Sequence, residues 1–248
     1  MKLTNSIFSV KKEHTLFTSF ILHLLPGVLI LIFYLLIYKT CINTGFYSQT
    51  ALTISFLLIG VTIPILYLRF LSKKNKLKFF SEIVLYNNKL SWWECIVFPV
   101  LVIAVAIIIS SFIKPVSLQI SHSLSNILPQ WFLRPDHIPV TISETNIVFT
   151  LIMVLVVDGI LHPIVEEIYF RGYLMPRLVK YKKLAPIIAA LFFALFHLWQ
   201  PQNMITIFLM SIPWFYIVWW KKSFILSIII HCLANSIGAI SNLADYLY

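Results

Sequence analysis

The sequence predicts an all-α protein, a polytopic bundle of about seven transmembrane helices. The first observation is the composition: hydrophobic residues make up 60% of the 248 residues and charged residues only 11%. Soluble domains contain roughly 45–50% hydrophobic residues and about 25% charged residues. The second is a series of long apolar runs, and the third is the placement of basic residues in alternate loops. So few charges cannot cover so much apolar surface in water, which excludes a soluble fold and a disordered chain.

Seven apolar runs approach the length of a membrane-spanning helix, which is about 20 residues for a hydrocarbon core about 30 Å thick. The runs cover residues 15–38, 51–71, 95–113, 147–170, 184–199, 204–220 and 223–243. The fifth and sixth are the shortest, and a locally thin bilayer would accommodate them. We expect an N-terminal transmembrane region with cytoplasmic and outer loops, residues 1–146, and a C-terminal transmembrane core, residues 147–248.

Lys and Arg residues concentrate in the N-terminus and in the second, fourth and sixth loops between these runs. They are Lys2, Lys11, Lys12, Arg69, Lys73, Lys74, Lys76, Lys78, Lys89, Arg177, Lys180, Lys182, Lys183, Lys221 and Lys222. The other loops contain only Lys39, Lys114 and Arg134. Because cytoplasmic loops collect Lys and Arg, this alternation predicts a multi-pass protein of the cell membrane with a cytoplasmic N-terminus and an outer C-terminus. The formal net charge of +10 therefore belongs to membrane edges, and we expect no nucleic-acid partner.

The fourth run is unusual because four ionisable residues lie within it and a fifth directly follows it. They are Asp158, His162, Glu166, Glu167 and Arg171. An ionisable residue within a span costs roughly 2.5–3.5 kcal/mol on insertion scales, so each is a candidate functional residue. Residues four apart lie on one face of a helix, so Glu167 and Arg171 can form an ion pair. This pair gives Glu167 a supporting role and leaves Glu166 as the candidate general base. Asp158 and His162, which extend the same stripe, either tune the site or pair with each other, and we expect the pairing.

Two later runs bring further polar side chains to a similar depth. His197 lies in the fifth run, and His231 and Asn235, four residues apart, lie in the seventh. With a rise of about 1.5 Å per residue, Glu166, His197 and His231 lie roughly 16, 21 and 13 Å from the predicted cytoplasmic edge. All three depths fall in the middle of a core about 30 Å thick. The sequence therefore predicts that these side chains meet in one site.

The same residues form three short motifs. Residues 166–171 match E-E-x-x-x-R, residues 193–197 match F-x-x-x-H, and residues 231–235 match H-x-x-x-N. In this order on three late spans, the motifs resemble those of the intramembrane proteases related to the type II CAAX prenyl protease. In bacteria this is the CAAX-protease and bacteriocin-processing (CPBP or Abi) family. The resemblance covers residues 147–243, which makes the C-terminal core, residues 147–248, the catalytic region.

The resemblance implies an endopeptidase that hydrolyses peptide bonds within the membrane, at a cavity open to the cytoplasm. Glu166 would deprotonate a water molecule that His197 helps to hold. His231 and Asn235 would donate hydrogen bonds to the developing oxyanion. The substrate would be a membrane-associated peptide or protein in the lipid bilayer. The resemblance also implies roles in peptide processing or bacteriocin self-immunity, and the Ile-, Lys- and Asn-rich composition favours a bacterial source.

The residues leave a metal-dependent mechanism open. Glu166, His197 and His231 resemble a hydrolytic zinc triad, in which case Glu167 would be the candidate base. The H-E-x-x-H helix of common zinc proteases is absent, and the three cysteines form no C-x-x-C pair. Glu167 has a partner in Arg171, and together they would position the helix or bind the substrate. We therefore favour a glutamate-type mechanism without a cofactor, with zinc as the alternative.

Two other functions are alternatives. A catalytically silent interaction or immunity protein would keep the fold without the reaction, but it does not need a glutamate that is costly to insert. A proton-coupled secondary transporter would use buried carboxylates and histidines as a proton relay. Transporters usually show paired repeats with broken helices at matching positions, whereas here the ionisable residues of the spans concentrate in the second half of the chain.

Overall fold

The computed structural model describes residues 13–247 and shows a bundle of helices. Within these residues the chain has no β-strand, and six helices are long and apolar enough to span a membrane. They are α1 (Leu16–Asn43), α2 (Ser48–Asn75), α3 (Glu94–Leu124), α4 (Glu144–Phe196), α5 (Pro201–Lys221) and α6 (Phe224–Tyr246). Two short helical turns, Phe79–Ile83 and Gln130–Leu133, lie in the longer connections. The predicted all-α transmembrane bundle is confirmed, and the chain is a multi-pass membrane protein.

Helix α4 joins the fourth and fifth predicted runs in one segment of 53 residues. A straight helix of that length would extend about 80 Å, more than twice the thickness of a hydrocarbon core of about 30 Å. The segment bends instead at Lys182, whose backbone angles, φ 51° and ψ −125°, are not helical. The fourth and fifth predicted runs thus correspond to two helical parts of α4 that meet at the non-helical Lys182, and each of the other five runs corresponds to one of the other five long helices of the described residues.

Helices α2 and α4 are irregular along their length. The parts of α2 are Ser48–Ser55, the π-helical turn Phe56–Val61 and Thr62–Asn75. The parts of α4 are Glu144–Met153, the π-helical Val154–Leu161, His162–Glu167, the π-helical Ile168–Leu174, Met175–Leu184 and Ala185–Phe196. π-Helical turns are rare and occur frequently at functional sites. In α4 they lie on both sides of the short segment that carries the two adjacent glutamates.

Backbone hydrogen bonds bring the predicted basic connections to one end of the bundle. The amide of His14, just before α1, donates to the carbonyl of Arg177 at 2.8 Å. The amide of Asn88, between α2 and α3, donates to the carbonyl of Lys222, between α5 and α6, at 3.0 Å. The alternation of basic loops requires this grouping. The N-terminal lysines of that prediction, residues 2, 11 and 12, lie outside the described residues.

Helix α1 packs closely against α4. A Cβ atom at Gly27 would clash with the backbone carbonyl of Phe196. The hydroxyl of Tyr169 donates a hydrogen bond of 2.7 Å to the carbonyl of Leu22. Close approach of helices within a membrane depends on small residues at the contact. Gly27 therefore sets the distance between α1 and the helix that carries the glutamates.

Replacing Gly27 by alanine should destabilise the bundle, because α1 or the end of α4 must move to make room for the methyl group. Overpacking of this kind typically costs about 1–3 kcal/mol. For a chain of this size, the midpoint of thermal unfolding in detergent micelles should fall by roughly 2–12 °C. Gly238→Ala is the matched control, because a Cβ atom there would meet no described atom within 4 Å beyond its own stretch of helix backbone. Equal midpoints for the two variants would contradict the prediction.

Candidate active site

Glu167 is held by three side chains and is completely buried. Its Oε1 atom lies 2.9 Å from Nη1 of Arg171 and 2.7 Å from Nδ1 of His231. Its Oε2 atom accepts a hydrogen bond of 2.5 Å from the hydroxyl of Ser227. The ion pair with Arg171, which the four-residue spacing predicts, is confirmed. Because Ser227 and His231 belong to α6, Glu167 connects α4 to α6.

The guanidinium group of Arg171 is surrounded by aromatic rings. Its central carbon lies 4.0 Å from the ring centroid of Phe193, 4.2 Å from that of Trp214 and 3.9 Å from that of Phe215. Aromatic faces attract a cation within about 6 Å, and more strongly when the cation is desolvated. Phe193 belongs to the last part of α4, and the other two rings belong to α5. Arg171 thus holds these helices around Glu167.

Glu166 is also buried, with 4% of its surface exposed, but its oxygens have fewer contacts. Its Oε2 atom lies 3.6 Å from Nδ1 of His231, and its Oε1 atom lies 3.5 Å from Nε2 of His162. Both distances exceed those of ordinary hydrogen bonds, and within the described residues Oε1 has no hydrogen-bond partner. Hydrogen bonds of catalytic groups are often long before substrate binds. Glu166 therefore has more capacity than Glu167 to accept a hydrogen bond from water.

The remaining two predicted site residues lie on different helices. His197 follows the last turn of α4, and its Nδ1 atom donates to the carbonyl of Phe193 at 2.7 Å. In a neutral ring this leaves Nε2 as the acceptor. Asn235, on α6, donates one amide hydrogen to the backbone carbonyl of Asp158 at 2.9 Å. Its second amide hydrogen is available for another hydrogen bond. Among the described residues, no hydrogen bond or ion pair joins His197 or Asn235 to either glutamate.

One group of possible metal ligands occurs in the described part of the chain. Glu166, Glu167 and His231 each offer one ligand atom, and these atoms lie within 4.8 Å of one another. The group contains Glu167 in place of His197, the third ligand of the zinc triad considered from the sequence. A Zn²⁺ ion here would lie close to the guanidinium of Arg171, whose Nη1 atom is 2.9 Å from Oε1 of Glu167. A dication beside a buried guanidinium is electrostatically unfavourable, so the group fits zinc poorly.

The expected pairing of Asp158 with His162 is wrong, because the carboxylate of Asp158 bonds to α2 and the ring of His162 lies between Phe56 of α2 and Glu166. The Oδ2 atom of Asp158 accepts hydrogen bonds of 3.0 Å from Gln49 and from Thr53. The ring of His162 stacks on Phe56, with centroids 4.6 Å apart and planes inclined by 8°. Four-residue spacing reveals neighbours on the same helix only. The spacing predicted a contact within α4, between Asp158 and His162, but the contacts observed for Asp158 are between α2 and α4.

Ser227 is a site residue that sequence reasoning missed. It lies four residues before His231, so both side chains share one face of α6. This spacing is the signal that could have identified it. The aromatic rings around Arg171 carried no comparable signal, because they come from separate helices.

Two cavities adjoin different residues of this site. One, of about 410 Å³, lies between α3, α5 and α6, has mainly apolar walls and reaches His231 and Asn235. The other, of about 500 Å³, has a more polar wall that includes Lys114, and it reaches Phe56 and Trp199. Phe56 stacks on His162, so this second cavity approaches the site from the side of α2. Both volumes are within the range of ligand sites, roughly 300–1,000 Å³.

Buried carboxylates and histidines, with the exposed Asn235 on the wall of an apolar cavity, define a membrane protein with a polar site inside the bundle. Residues 148–237 match the family model of type II CAAX prenyl endopeptidase Rce1-like proteins. This stretch contains every site residue that the motifs predict. The match supports the assignment of the chain to the CAAX protease family, as the motif resemblance predicts. No curated protein and no solved structure gives a significant match.

Replacing Arg171 by alanine should sharply reduce the amount of folded protein, because Glu167 would remain as an unpaired buried charge. Breaking such a buried pair costs about 3–5 kcal/mol. The monodisperse yield after extraction and size-exclusion chromatography measures the effect, and Arg69→Ala, at an exposed position, is the control. The double variant Glu167→Gln/Arg171→Leu should be more stable than Arg171→Ala alone. Normal yield with lost activity would instead place Arg171 in substrate binding.

Proposed function

We propose that this protein is an intramembrane endopeptidase that hydrolyses a peptide bond of a membrane-associated peptide or protein through a water molecule activated by Glu166. The observation that carries the proposal is the difference between the two adjacent glutamates. Glu167 is bound by Arg171, His231 and Ser227, whereas Oε1 of Glu166 has no hydrogen-bond partner in the described residues. A general base needs such an oxygen within reach of the proton it removes.

In the proposed reaction, Glu166 takes a proton from water as the water oxygen attacks the carbonyl carbon of the peptide. The new C–O bond forms while the π electrons of the carbonyl move to its oxygen, which gives a tetrahedral oxyanion. The C–N bond then breaks, and the proton on Glu166 passes to the leaving nitrogen. The products are a carboxyl group and an amine, so the step needs no oxidant, reductant or cofactor.

The other site residues have distinct proposed roles. Nε2 of His197 accepts a hydrogen bond from the attacking water. The second amide hydrogen of Asn235 is donated to the oxyanion. His231 directs its Nδ1 hydrogen at Glu167, so its Nε2 atom joins as a donor when the ring carries both protons. Donors that are already in place stabilise an oxyanion without reorganisation, which is usually a large part of catalysis.

We favour the glutamate-type mechanism over a zinc mechanism because zinc binding would leave no suitable carboxylate to act as the base. If zinc were bound at the group described above, Glu166 and Glu167 would both be ligands. If zinc were instead bound by Glu166, His197 and His231, Glu167 would be the remaining carboxylate, and it is already paired with Arg171 at 2.9 Å. A carboxylate held in an ion pair is a weaker proton acceptor than one without a cationic partner. No base would then be available for the water.

The apolar cavity supplies the proposed substrate position. It has a volume of about 410 Å³ and brings His231 and Asn235 to one wall, so an apolar segment of a membrane peptide bound there would pass beside the proposed oxyanion donors. We also propose a cytoplasmic N-terminus and an outer C-terminus in the cell membrane, since the basic connections share one end of the bundle. Peptide processing or bacteriocin self-immunity is the proposed cellular role, by the motif resemblance.

The Glu166→Gln variant should lose at least about 100-fold in turnover, because the amide keeps the shape of the side chain but cannot accept the proton. The measurement uses purified protein in liposomes and a fluorescence-quenched library of apolar peptides. Wild-type turnover should survive a strong zinc chelator. Glu144→Gln, at an exposed position, is the matched control and should be fully active.

Each result of that experiment has a definite meaning. Full turnover by Glu166→Gln would remove Glu166 from the role of base. Loss of wild-type turnover on chelation, restored by zinc, would overturn the metal-free mechanism. Absence of cleavage by the wild-type protein across the library would favour a catalytically silent interaction protein.

The Asn235→Ala variant should lower kcat by about 100-fold and change KM little, because a lost oxyanion donor acts mainly on the transition state. Steady-state kinetics on the best library peptide separate the two constants. Asn242→Ala is the control, since Asn242 lies almost two turns further along α6, on the wall of a different cavity. A raised KM with unchanged kcat would make Asn235 a substrate-binding residue instead.

A further inference from the structure

His162 lies outside the three sequence motifs and has no assigned role, yet it directly adjoins Glu166. It is the first residue after the π-helical turn Val154–Leu161 and lies one helical turn before Glu166. Its side chain is buried, with 6% of its surface exposed. A histidine is costly to place inside a membrane bundle, so a buried histidine near a polar site is a functional candidate.

The ring of His162 sits in a slot that α2 provides. One side of the slot is the ring of Phe56, which stacks on the imidazole with centroids 4.6 Å apart. The other contact is Gly60, where an added Cβ atom would lie only 2.5 Å from Nε2 of His162. Phe56 and Gly60 belong to the same π-helical turn, Phe56–Val61. The slot therefore accepts a flat ring and fixes its orientation.

The fixed ring directs one nitrogen at the proposed base. Nε2 of His162 lies 3.5 Å from Oε1 of Glu166, and within the described residues neither atom has a hydrogen-bond partner. The second carboxylate oxygen, Oε2, faces Nδ1 of His231 at 3.6 Å. Asp158, the other acidic residue on this face of α4, is occupied by its contacts with α2. Glu166 is thus the acidic neighbour that His162 faces.

We propose that His162 is a positioning residue for Glu166, a role that rests on the proposed function of Glu166 as the base. If the 3.5 Å separation closes by a few tenths of an ångström when substrate binds, the hydrogen on Nε2 is donated to one lone pair of Oε1 and holds the carboxylate against rotation. The second lone pair of Oε1 stays available to water. A small misplacement of a catalytic group can cost about 100-fold in rate. The role acts on kcat, because His162 is not among the residues that line the apolar cavity proposed to bind the substrate.

The test compares two replacements of His162. His162→Gln keeps an N–H donor near the position of Nε2, and His162→Leu fills the slot without a donor. Buried His23 is the control position, since its Nδ1 atom is bonded to the carbonyl of Ser19 on α1; His23→Leu removes a buried histidine away from Glu166. Steady-state kinetics use the fluorescence-quenched apolar peptide that the wild-type protein cleaves best.

We expect His162→Leu to lower kcat by about 10- to 100-fold with KM changed less than about threefold. His162→Gln should recover kcat to within about fivefold of the wild type, and His23→Leu should keep it. In the Glu166→Gln background, His162→Leu should cause no further loss, because the two residues act as a unit. Unchanged kcat for His162→Leu, or a Gln variant as poor as the Leu variant, would overturn the proposal.

A second measurement does not depend on catalysis. The melting midpoints of the wild type, His162→Leu, Glu166→Gln and the double variant form a thermodynamic cycle. Coupling of the two side chains predicts that the shifts fail to add by about 2–4 °C or more. Additive shifts would overturn the positioning role even if no peptide were cleaved. Coupled shifts without any turnover would support the contact while the proposed protease function fails.

Discussion

The ion pair between Glu167 and Arg171 is the constraint on which the rest of the site depends. Two charges removed from water carry a penalty of several kcal/mol each, unless their partners satisfy them completely. Neither side chain of this pair has exposed surface. The carboxylate accepts hydrogen bonds from Ser227 and His231. Three aromatic rings surround the guanidinium, whose nitrogens, apart from the ion-pair contact with Glu167, have no hydrogen-bond partner within the described residues. These contacts fix the positions of α4, α5 and α6 relative to one another.

The different states of the two glutamates follow from this constraint. Adjacent residues on a helix point about 100° apart, so directing Glu167 at Arg171 turns Glu166 away from the guanidinium. The neighbours of Glu166 are His162 at 3.5 Å and His231, which it shares with Glu167, at 3.6 Å. They contact the carboxylate without neutralising it as a guanidinium would. A motif of two consecutive glutamates thus combines a residue that holds the bundle with a residue that remains available for a proton.

The sequence was informative where contacts stay within one helix and uninformative where they cross between helices. The bilayer admits helices and closed barrels only, so composition and apolar runs were enough to predict the helical bundle. The four-residue spacing predicted the Glu167–Arg171 pair. The same rule failed for Asp158, whose partners are Gln49 and Thr53 on α2. The motifs named the candidate site residues, but their spatial neighbours depend on packing that a single sequence does not display.

Hydrolysis inside a membrane must bring together water and an apolar peptide, which favour different surroundings. The two cavities differ in just this respect: the apolar one reaches His231 and Asn235, and the more polar one reaches Phe56 and Trp199. The rings of Phe56 and Trp199 in turn contact the two other histidines of the site, with centroids 4.6 and 5.0 Å from those of His162 and His197. Glu166 lies between His162, which stacks on Phe56 of the more polar cavity, and His231, which lines the apolar cavity. A base placed there can receive water through the more polar cavity and a peptide through the apolar cavity, so that neither has to cross the environment it disfavours.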